Sequence, residues 1–296
     1  MILTSPCTGI CKLDETTGWC LGCGRTGDEI GGWRGLPEPQ RDHVWAQIPD
    51  RLGQLGVACR RLPWTTEDIR SFVTQSCEEK RGTWVMGVLG AVAEFVVPPT
   101  APVDITMRGE DFVAYTPTGA MCMTINDDIR AVTFDPPGLK KAPTVVLAVK
   151  RERERGRLQV ADGISDLGQD ADALIPEAAT QLYDLGLGRK EGRFCVRVGD
   201  GPARQALDAV KGMPFSNGLP RIGATLLSES PTRVVQSALG RIEVQGPIPT
   251  ETAQVPAGPH THLLPDQLAI GRALPVGMDL PRAYLPGAVF YPKAMT

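Results

Sequence analysis

The chain is poor in aromatic residues and in histidine, and no charge of one sign dominates it. Of its 296 residues, 5% are aromatic and only 3 are histidine, so aliphatic side chains must fill most of any core. A formal net charge of −3 argues against bulk electrostatic binding of nucleic acid. The 33 glycines and 26 prolines argue against a helical bundle and favour a loop-rich protein with much β-structure.

Long hydrophobic runs and common catalytic motifs are also missing. The longest apolar stretch, Trp84 to Pro98, contains glycines and the charged Glu94, and it is too short to span a bilayer. No secretory leader pattern opens the chain, so we expect a cytoplasmic protein with reduced thiols and no membrane contact. The nucleophile elbow, the P-loop, the dinucleotide-binding glycine pattern and the zinc-protease motif are all absent. No catalytic residue or enzyme class is therefore indicated.

Four cysteines near the N-terminus form the strongest motif. Cys7, Cys11, Cys20 and Cys23 have the spacing C-x3-C-x8-C-x2-C. Two cysteines two or three residues apart can aim both sulfurs at one ion, and two such hooks complete a tetrahedral thiolate site. Glycines in or beside both hooks permit tight bends and allow main-chain N–H groups to approach the sulfurs. We predict one metal centre at these four residues.

The identity of that metal stays open between two candidates. Zinc suits a closed all-thiolate site whose role is to fold the surrounding chain. An iron–sulfur cluster also takes four thiolates, and the longer gap between the hooks could wrap around one. With zinc, Lys12 and Arg25 could offset part of the negative charge of the four thiolates.

The other four cysteines are scattered in apolar or strand-like contexts, and we predict that they are small core residues: Cys59, Cys77, Cys122 and Cys195.

Two of the three histidines, His260 and His262, form a second, weaker candidate. Alternate residues of an extended segment point the same way, so both imidazoles could reach one ion, with Asp266 as a third ligand. Three ligands with an open position would be a catalytic type of site. The alternative is a solvated pair in a loop. His43 is predicted to lie on the surface of a helix.

The pattern of elements predicts an α+β protein. Residues 1–57 should form a small four-cysteine metal knuckle with two helices, beginning near Thr26 and Pro37. Residues 58–82 should form a linker and a helix that begins at Thr65. Residues 83–296 should form a larger β-rich α+β domain, possibly in two lobes, with short strands up to residue 150.

Further predictions concern particular segments. Ile30 and Trp33 should face inward, and Trp33 should share a small core with apolar residues of the second helix. In the larger domain we predict strands at 193–198 and 241–244, and helices at 171–185, 202–211 and 232–239.

Two stretches resemble known families. The motifs Ser5-Pro6-Cys7-x3-Cys11, Gly18-x-Cys20-x2-Cys23-Gly24-Arg25-Thr26 and Asp28-Glu29-Ile30-x2-Trp33 resemble a short bacterial domain of unknown function that is commonly labelled a predicted iron–sulfur protein. The resemblance covers residues 5–52 and implies that the four cysteines act as ligands. The remainder, including Phe194-Cys195-Val196-Arg197 and Gly258-Pro259-His260-Thr261-His262-Leu263-Leu264-Pro265, resembles an uncharacterised bacterial domain with no established activity.

These observations favour a non-enzymatic metal-binding protein, in which a structural zinc knuckle acts as an interaction module for a protein partner. One alternative is an iron–sulfur protein with a redox or sensing role. Another is a metal-dependent enzyme with its site near His260 and His262. Nothing in the sequence indicates an oligomeric state.

Overall fold

Two antiparallel β-sheets dominate the chain, and a small helical region precedes them. The computed structural model describes residues 5–88, 90–136, 138, 142–151, 162–176, 180–188, 192–251, 256–263 and 280–293. The predicted α+β class is confirmed, with few helices and a large β-rich part. None of the described helices is long and apolar enough to cross a membrane.

The N-terminal region consists of irregular chain followed by two helices. Helix α1 (Gly27–Gly32) begins directly after Thr26, as predicted, and the Thr26 side chain forms a reciprocal capping box with Glu29. Helix α2 (Glu38–Gln54) begins after Pro37. The inward face of α2 packs in a small hydrophobic core, as predicted. This mini-core is formed by the buried residues Trp33, Val44, Trp45, Ile48 and Leu52.

The prediction that Ile30 faces inward is wrong. Its side chain is 38% exposed, and no residue of α1 itself is buried. With only six residues, α1 is too short to present an apolar stripe to the mini-core. Trp33, which directly follows the helix, is the residue that reaches it.

The stretch predicted as linker contributes to the larger body. Strand β1 (Arg60–Arg61) pairs with a strand of the first sheet. Helix α3 (Thr66–Glu78) begins at Thr65, and the predicted capping box with Asp68 is present. Ile69 and Val73 on this helix are buried in the main core.

The remaining strands follow in chain order: β2 (Gly82–Val88), β3 (Ala91–Val96), β4 (Asp104–Arg108), β5 (Asp111–Thr116), β6 (Gly119–Thr124), β7 (Ile129–Thr133), β8 (Val145–Lys150), β9 (Ser165–Gln169), β10 (Gln181–Asp184), β11 (Gly192–Val198), β12 (Thr232–Ser237), β13 (Gly240–Val244), β14 (His260–Leu263) and β15 (Tyr284–Pro292). The first sheet has the order β1-β7-β8-β15-β2-β3-β14, and the second has the order β4-β5-β6-β13-β12-β11-β10-β9.

The two sheets pack face to face around one core. Strands β11, β12 and β13 of the second sheet contact β2, β3 and β15 of the first. Their inward residues are mostly aliphatic, as the low aromatic content requires. Helices α4 (Pro202–Asp208) and α5 (Phe215–Glu229) contact each other, and Leu207 and Ile222 extend the core between them.

Two segment predictions are wrong, and one helix was not predicted. The segment predicted as a helix at 232–239 forms strand β12 up to Ser237, because its β-branched residues pair with β11 and β13. The predicted helix at 171–185 is irregular up to residue 176 and ends in β10. Helix α5 was missed because it contains Gly218, Pro220 and Gly223, which normally argue against a helix interior.

Candidate metal sites

The two cysteine hooks share one local geometry. The N–H group of Gly9 donates to Cys7 Sγ, and that of Gly22 donates to Cys20 Sγ, each over 3.4 Å. In both hooks the donor is two residues after the cysteine, which confirms the predicted approach of main-chain N–H groups to sulfur. Such donors favour the charged thiolate over the thiol, and metals bind the thiolate.

Close backbone packing holds the second hook against the first. Thr8 Oγ1 donates a hydrogen bond of 2.9 Å to the carbonyl of Gly22. A Cβ at position 22 would lie 2.5 Å from that hydroxyl and 2.7 Å from the Cβ of Ile10, so only glycine fits. The two hooks therefore lie next to each other.

The four sulfurs are nevertheless not assembled into a ready site. Cys20 and Cys23 are buried, Cys7 is half-buried and Cys11 is exposed. Within the described residues, no three of these sulfurs lie within 4.8 Å of one another. The donor set and its N–H groups fit a thiolate centre.

Arg25 supplies the positive charge nearest to the second hook. Its guanidinium is buried, its Nε donates to Cys23 Sγ over 3.4 Å, and its Cζ lies 4.7 Å from the centre of the Trp33 ring. Burial raises the pKa of the Cys23 thiol, although the hydrogen bond from Arg25 opposes that effect. The cation therefore only partly offsets the cost of a buried thiolate.

The first hook also touches the larger body. The hydroxyl of Tyr284 on β15 donates to the carbonyl of Cys7 over 3.0 Å, and Arg61 on β1 donates to the carbonyl of Ser5. A change in the conformation of the first hook would therefore alter its hydrogen bonds to the first sheet.

The histidine pair lies on an edge strand and faces a carboxylate. The predicted extended stretch is confirmed, because His260 and His262 lie on β14, the outermost strand of the first sheet beside β3. Their ring centres are 4.6 Å apart. His260 pairs in register with Glu94 on β3, and residues opposite each other in an antiparallel pair share a face.

The donor atoms of these three side chains converge. His260 Nε2 lies 3.2 Å from one carboxylate oxygen of Glu94, and His262 Nε2 lies 3.7 Å from the other. All three residues are buried, with exposures of 2%, 5% and 2% for His260, His262 and Glu94. In the described part of the chain, this is the one group of three potential ligands whose donor atoms lie within 4.8 Å of one another.

A hydrogen bond determines which nitrogen of His260 is available. Its Nδ1 lies 2.7 Å from the carbonyl oxygen of Gly258, which can only accept, so Nδ1 carries a proton. In the neutral ring Nε2 then has a lone pair facing the Glu94 carboxylate. Two acceptors at 3.2 Å repel each other unless a cation or a proton lies between them. The arrangement suits a metal ion or an imidazolium–carboxylate pair.

Sequence reasoning found the histidines but missed their partner. The predicted third ligand, Asp266, lies outside the described residues, and among those that are described Glu94 provides a carboxylate. The available signal was a single charge in the otherwise apolar stretch from Trp84 to Pro98, because a buried carboxylate needs a partner.

The remaining candidates lie apart from both sites. Cys77 and Cys195 are buried as predicted, whereas Cys59 and Cys122 are half-buried. Desolvation raises the pKa of Cys77 to about 12 and that of Cys59 to about 11, which makes both poor nucleophiles. His43 is exposed on α2, as predicted, and contacts Gln47.

Comparison with known proteins gives two family matches. The model of a family of unknown function, DUF6925, matches residues 68–295. The chain belongs to this family. The model of a second family, described as a protein of unknown function (DUF1289), matches residues 5–52 and so includes both cysteine hooks. The two stretches that resembled uncharacterised domains thus correspond to two families of unknown function. No curated protein and no solved structure matches this DUF6925 member.

Proposed function

We propose that this DUF6925 protein binds a divalent transition-metal ion through Glu94, His260 and His262. The observation that carries the proposal is the convergence of two Nε2 atoms on the oxygens of one buried carboxylate, at 3.2 and 3.7 Å. Two ligands of a tetrahedral ion, each about 2.0–2.2 Å from it, are about 3.4 Å apart. The spacing therefore suits an ion such as Zn²⁺, with Fe²⁺ as the alternative for two histidines and a carboxylate.

The residues around the ion would perform separate tasks. The Gly258 carbonyl fixes the tautomer and the orientation of His260, which presents Nε2. Glu94 supplies the negative charge that offsets the ion in a buried site. Three protein ligands leave at least one position for water or substrate, and a bound metal ion there would supply Lewis-acid chemistry. The proposal is therefore a metal-dependent activity in the larger domain.

Elemental analysis of the purified full chain tests this function. We expect Glu94→Gln and His262→Ala each to lose about one equivalent of metal relative to wild type. The matched control is His43→Ala, because His43 is exposed and lies on α2. If folded Glu94→Gln and His262→Ala proteins keep the wild-type metal content, as His43→Ala should, the proposal is wrong.

A second candidate function is a thiolate metal centre at Cys7, Cys11, Cys20 and Cys23. It is favoured by the matching N–H···S contacts in the two hooks and by the glycine required at position 22. The proposed metal is zinc, and the alternative is an iron–sulfur cluster with a redox or sensing role. Protein purified without oxygen should be colourless with zinc and brown with a cluster. Cys20→Ser should remove this centre and leave the metal at Glu94 in place; an unchanged metal content would contradict it.

We also propose that the N-terminal region contacts a protein partner in a reducing compartment such as the cytoplasm. None of the eight cysteines forms a disulfide. Three of the exposed large apolar side chains, Ile10, Leu13 and Ile30, lie in this small region. A photo-crosslinking residue at position 30 should trap a protein in cells, and one at the exposed Met107 of the larger domain should not. Equal results at both positions would contradict the proposal.

A further inference from the structure

A largely apolar cavity lies beneath α5, at the end of the sandwich where β14 runs. Its volume is about 310 Å³, which falls in the range of small-molecule sites. Phe194 and Val196 on β11 form part of its wall. The face of α5 that covers it carries residues at helical spacing, including Phe215, Leu219 and Leu226.

One cation lines this apolar space. Arg233 on β12 is 3% exposed, and among the described residues it makes one hydrogen bond, from Nη1 to the carbonyl of Pro231 over 3.0 Å. Its Nε is buried without a hydrogen-bond partner, and no described carboxylate pairs with it. Burial lowers the pKa of this guanidinium to about 10, which reflects the cost of keeping its charge out of water.

Arg233 differs from the two other buried arginines of the second sheet, which have counter-charges. Arg197 and Arg241 lie in the same sheet and are each paired with buried carboxylates. A buried charge without a counter-charge is strongly unfavourable, and a guanidinium is shaped to bind a carboxylate through two parallel hydrogen bonds. The acidic residue Glu251 also lines the cavity, but it is exposed.

We propose that this cavity binds a small carboxylate with an apolar body. The carboxylate pairs with Arg233, and the body lies against the apolar face of α5. The proposal does not rest on the metal site, because the group that pairs with the carboxylate is Arg233. His262 also lines the cavity, so a ligand seated there is next to the proposed metal site.

Titration calorimetry with octanoate and with octanol tests the proposal on the full chain. The two probes share an apolar body and differ in the charged head. We expect octanoate to bind wild type at least about tenfold more tightly, since a charge-assisted pair contributes about 1.5–3 kcal/mol. Arg233→Met should remove this preference. The control Arg221→Met changes an exposed arginine on the same helix that covers the cavity and should have no effect.

A second variant tests the cavity without changing any charge. A Cβ at Gly223 would meet only the Leu219 side chain, at 3.5 Å, so Gly223→Met can enter the cavity without a backbone clash. We expect it to fold and to lose octanoate binding. Arg233→Met should also be at least as thermally stable as wild type, because it removes a buried unpaired charge. Equal affinity of wild type for both probes, or unchanged octanoate affinity in folded Gly223→Met, would overturn the proposal.

Discussion

Asp170 holds together a buried ionic network on the outer face of the second sheet, and its replacement gives a measurable test of the fold. Its carboxylate, 3% exposed, accepts hydrogen bonds of 3.0 and 2.6 Å from Arg241 and of 3.0 Å from Arg197. Glu243 is the second acid of the network and lies 2.8 Å from each arginine. Asp170→Asn keeps the shape of the side chain and removes one of the two carboxylates that pair with these buried cations among the described residues.

The expected cost is large because the charge is almost wholly removed from water. Breaking a buried ion pair by removing one partner costs about 3–5 kcal/mol. One kcal/mol shifts the melting temperature of a large domain by about 2–4 °C, so Asp170→Asn should melt at least about 6 °C below wild type. Thermal unfolding followed by circular dichroism measures this difference.

A surface pair gives the matched control. Asp200 is 92% exposed and pairs with Arg204 four residues later. Asp200→Asn removes the same charge, but exposed pairs contribute at most about 1 kcal/mol. If the two variants lose the same stability, the network does not hold the sheet as argued.

The pH dependence of Asp170 has a definite sign. Burial alone would raise the pKa of its carboxyl, but hydrogen bonds and charges from Arg241 and Arg197 outweigh burial and hold the pKa below its usual value. A group with a depressed folded pKa stabilises the fold above its unfolded pKa, about 3.9. The difference between wild type and Asp170→Asn should therefore be full at neutral pH and shrink as the pH falls below about 4.

Three other predictions follow from single residues. Gly22→Ala should destabilise the N-terminal region, since the new Cβ would lie 2.9 Å from a backbone carbonyl oxygen. In the control Gly31→Ala, the new Cβ meets nothing within 4 Å, and the variant should stabilise α1 by up to about 1 kcal/mol. Chemical denaturation measures the free energy of unfolding of both variants. Trp33→Ala should cost about 3–5 kcal/mol because its side chain is 7% exposed in the mini-core, and a loss below 1 kcal/mol would be inconsistent with that burial. In native metal-free protein at pH 8, iodoacetamide should label the exposed Cys11 and spare the buried Cys77, whose pKa is raised to about 12. Mass spectrometry measures the extent of labelling at each cysteine, and equal labelling would contradict the assigned burial.

Local features of the fold were predictable from the sequence. The capping boxes at Thr26 and Thr65 depend on side chains three residues apart, so their helices could be placed correctly. Strand β12 was not placed correctly, because its conformation depends on pairing with β11 and β13 as well as on its own β-branched residues. Helix α5 was not predicted because Pro220 lies inside it, and packing of the helix on the core overrides the low helix propensity of that residue.

The histidine site also combines a part that the sequence predicts with a part that depends on strand pairing. The spacing of His260 and His262 predicts that both rings share one side of a strand, and that prediction needs no tertiary information. Glu94 comes beside them only through the pairing of β14 with β3, two strands that are distant in the sequence. A single sequence contains no signal for that register. The lone charge in an apolar strand showed that a partner was needed but not which one.

Anomalous diffraction from crystals grown with zinc tests the central claim most directly. We predict a zinc peak about 2.0–2.2 Å from Nε2 of His260, Nε2 of His262 and a carboxylate oxygen of Glu94. A crystal grown with excess zinc that shows no peak at these atoms, and instead a direct hydrogen bond from His260 to Glu94, would contradict the account.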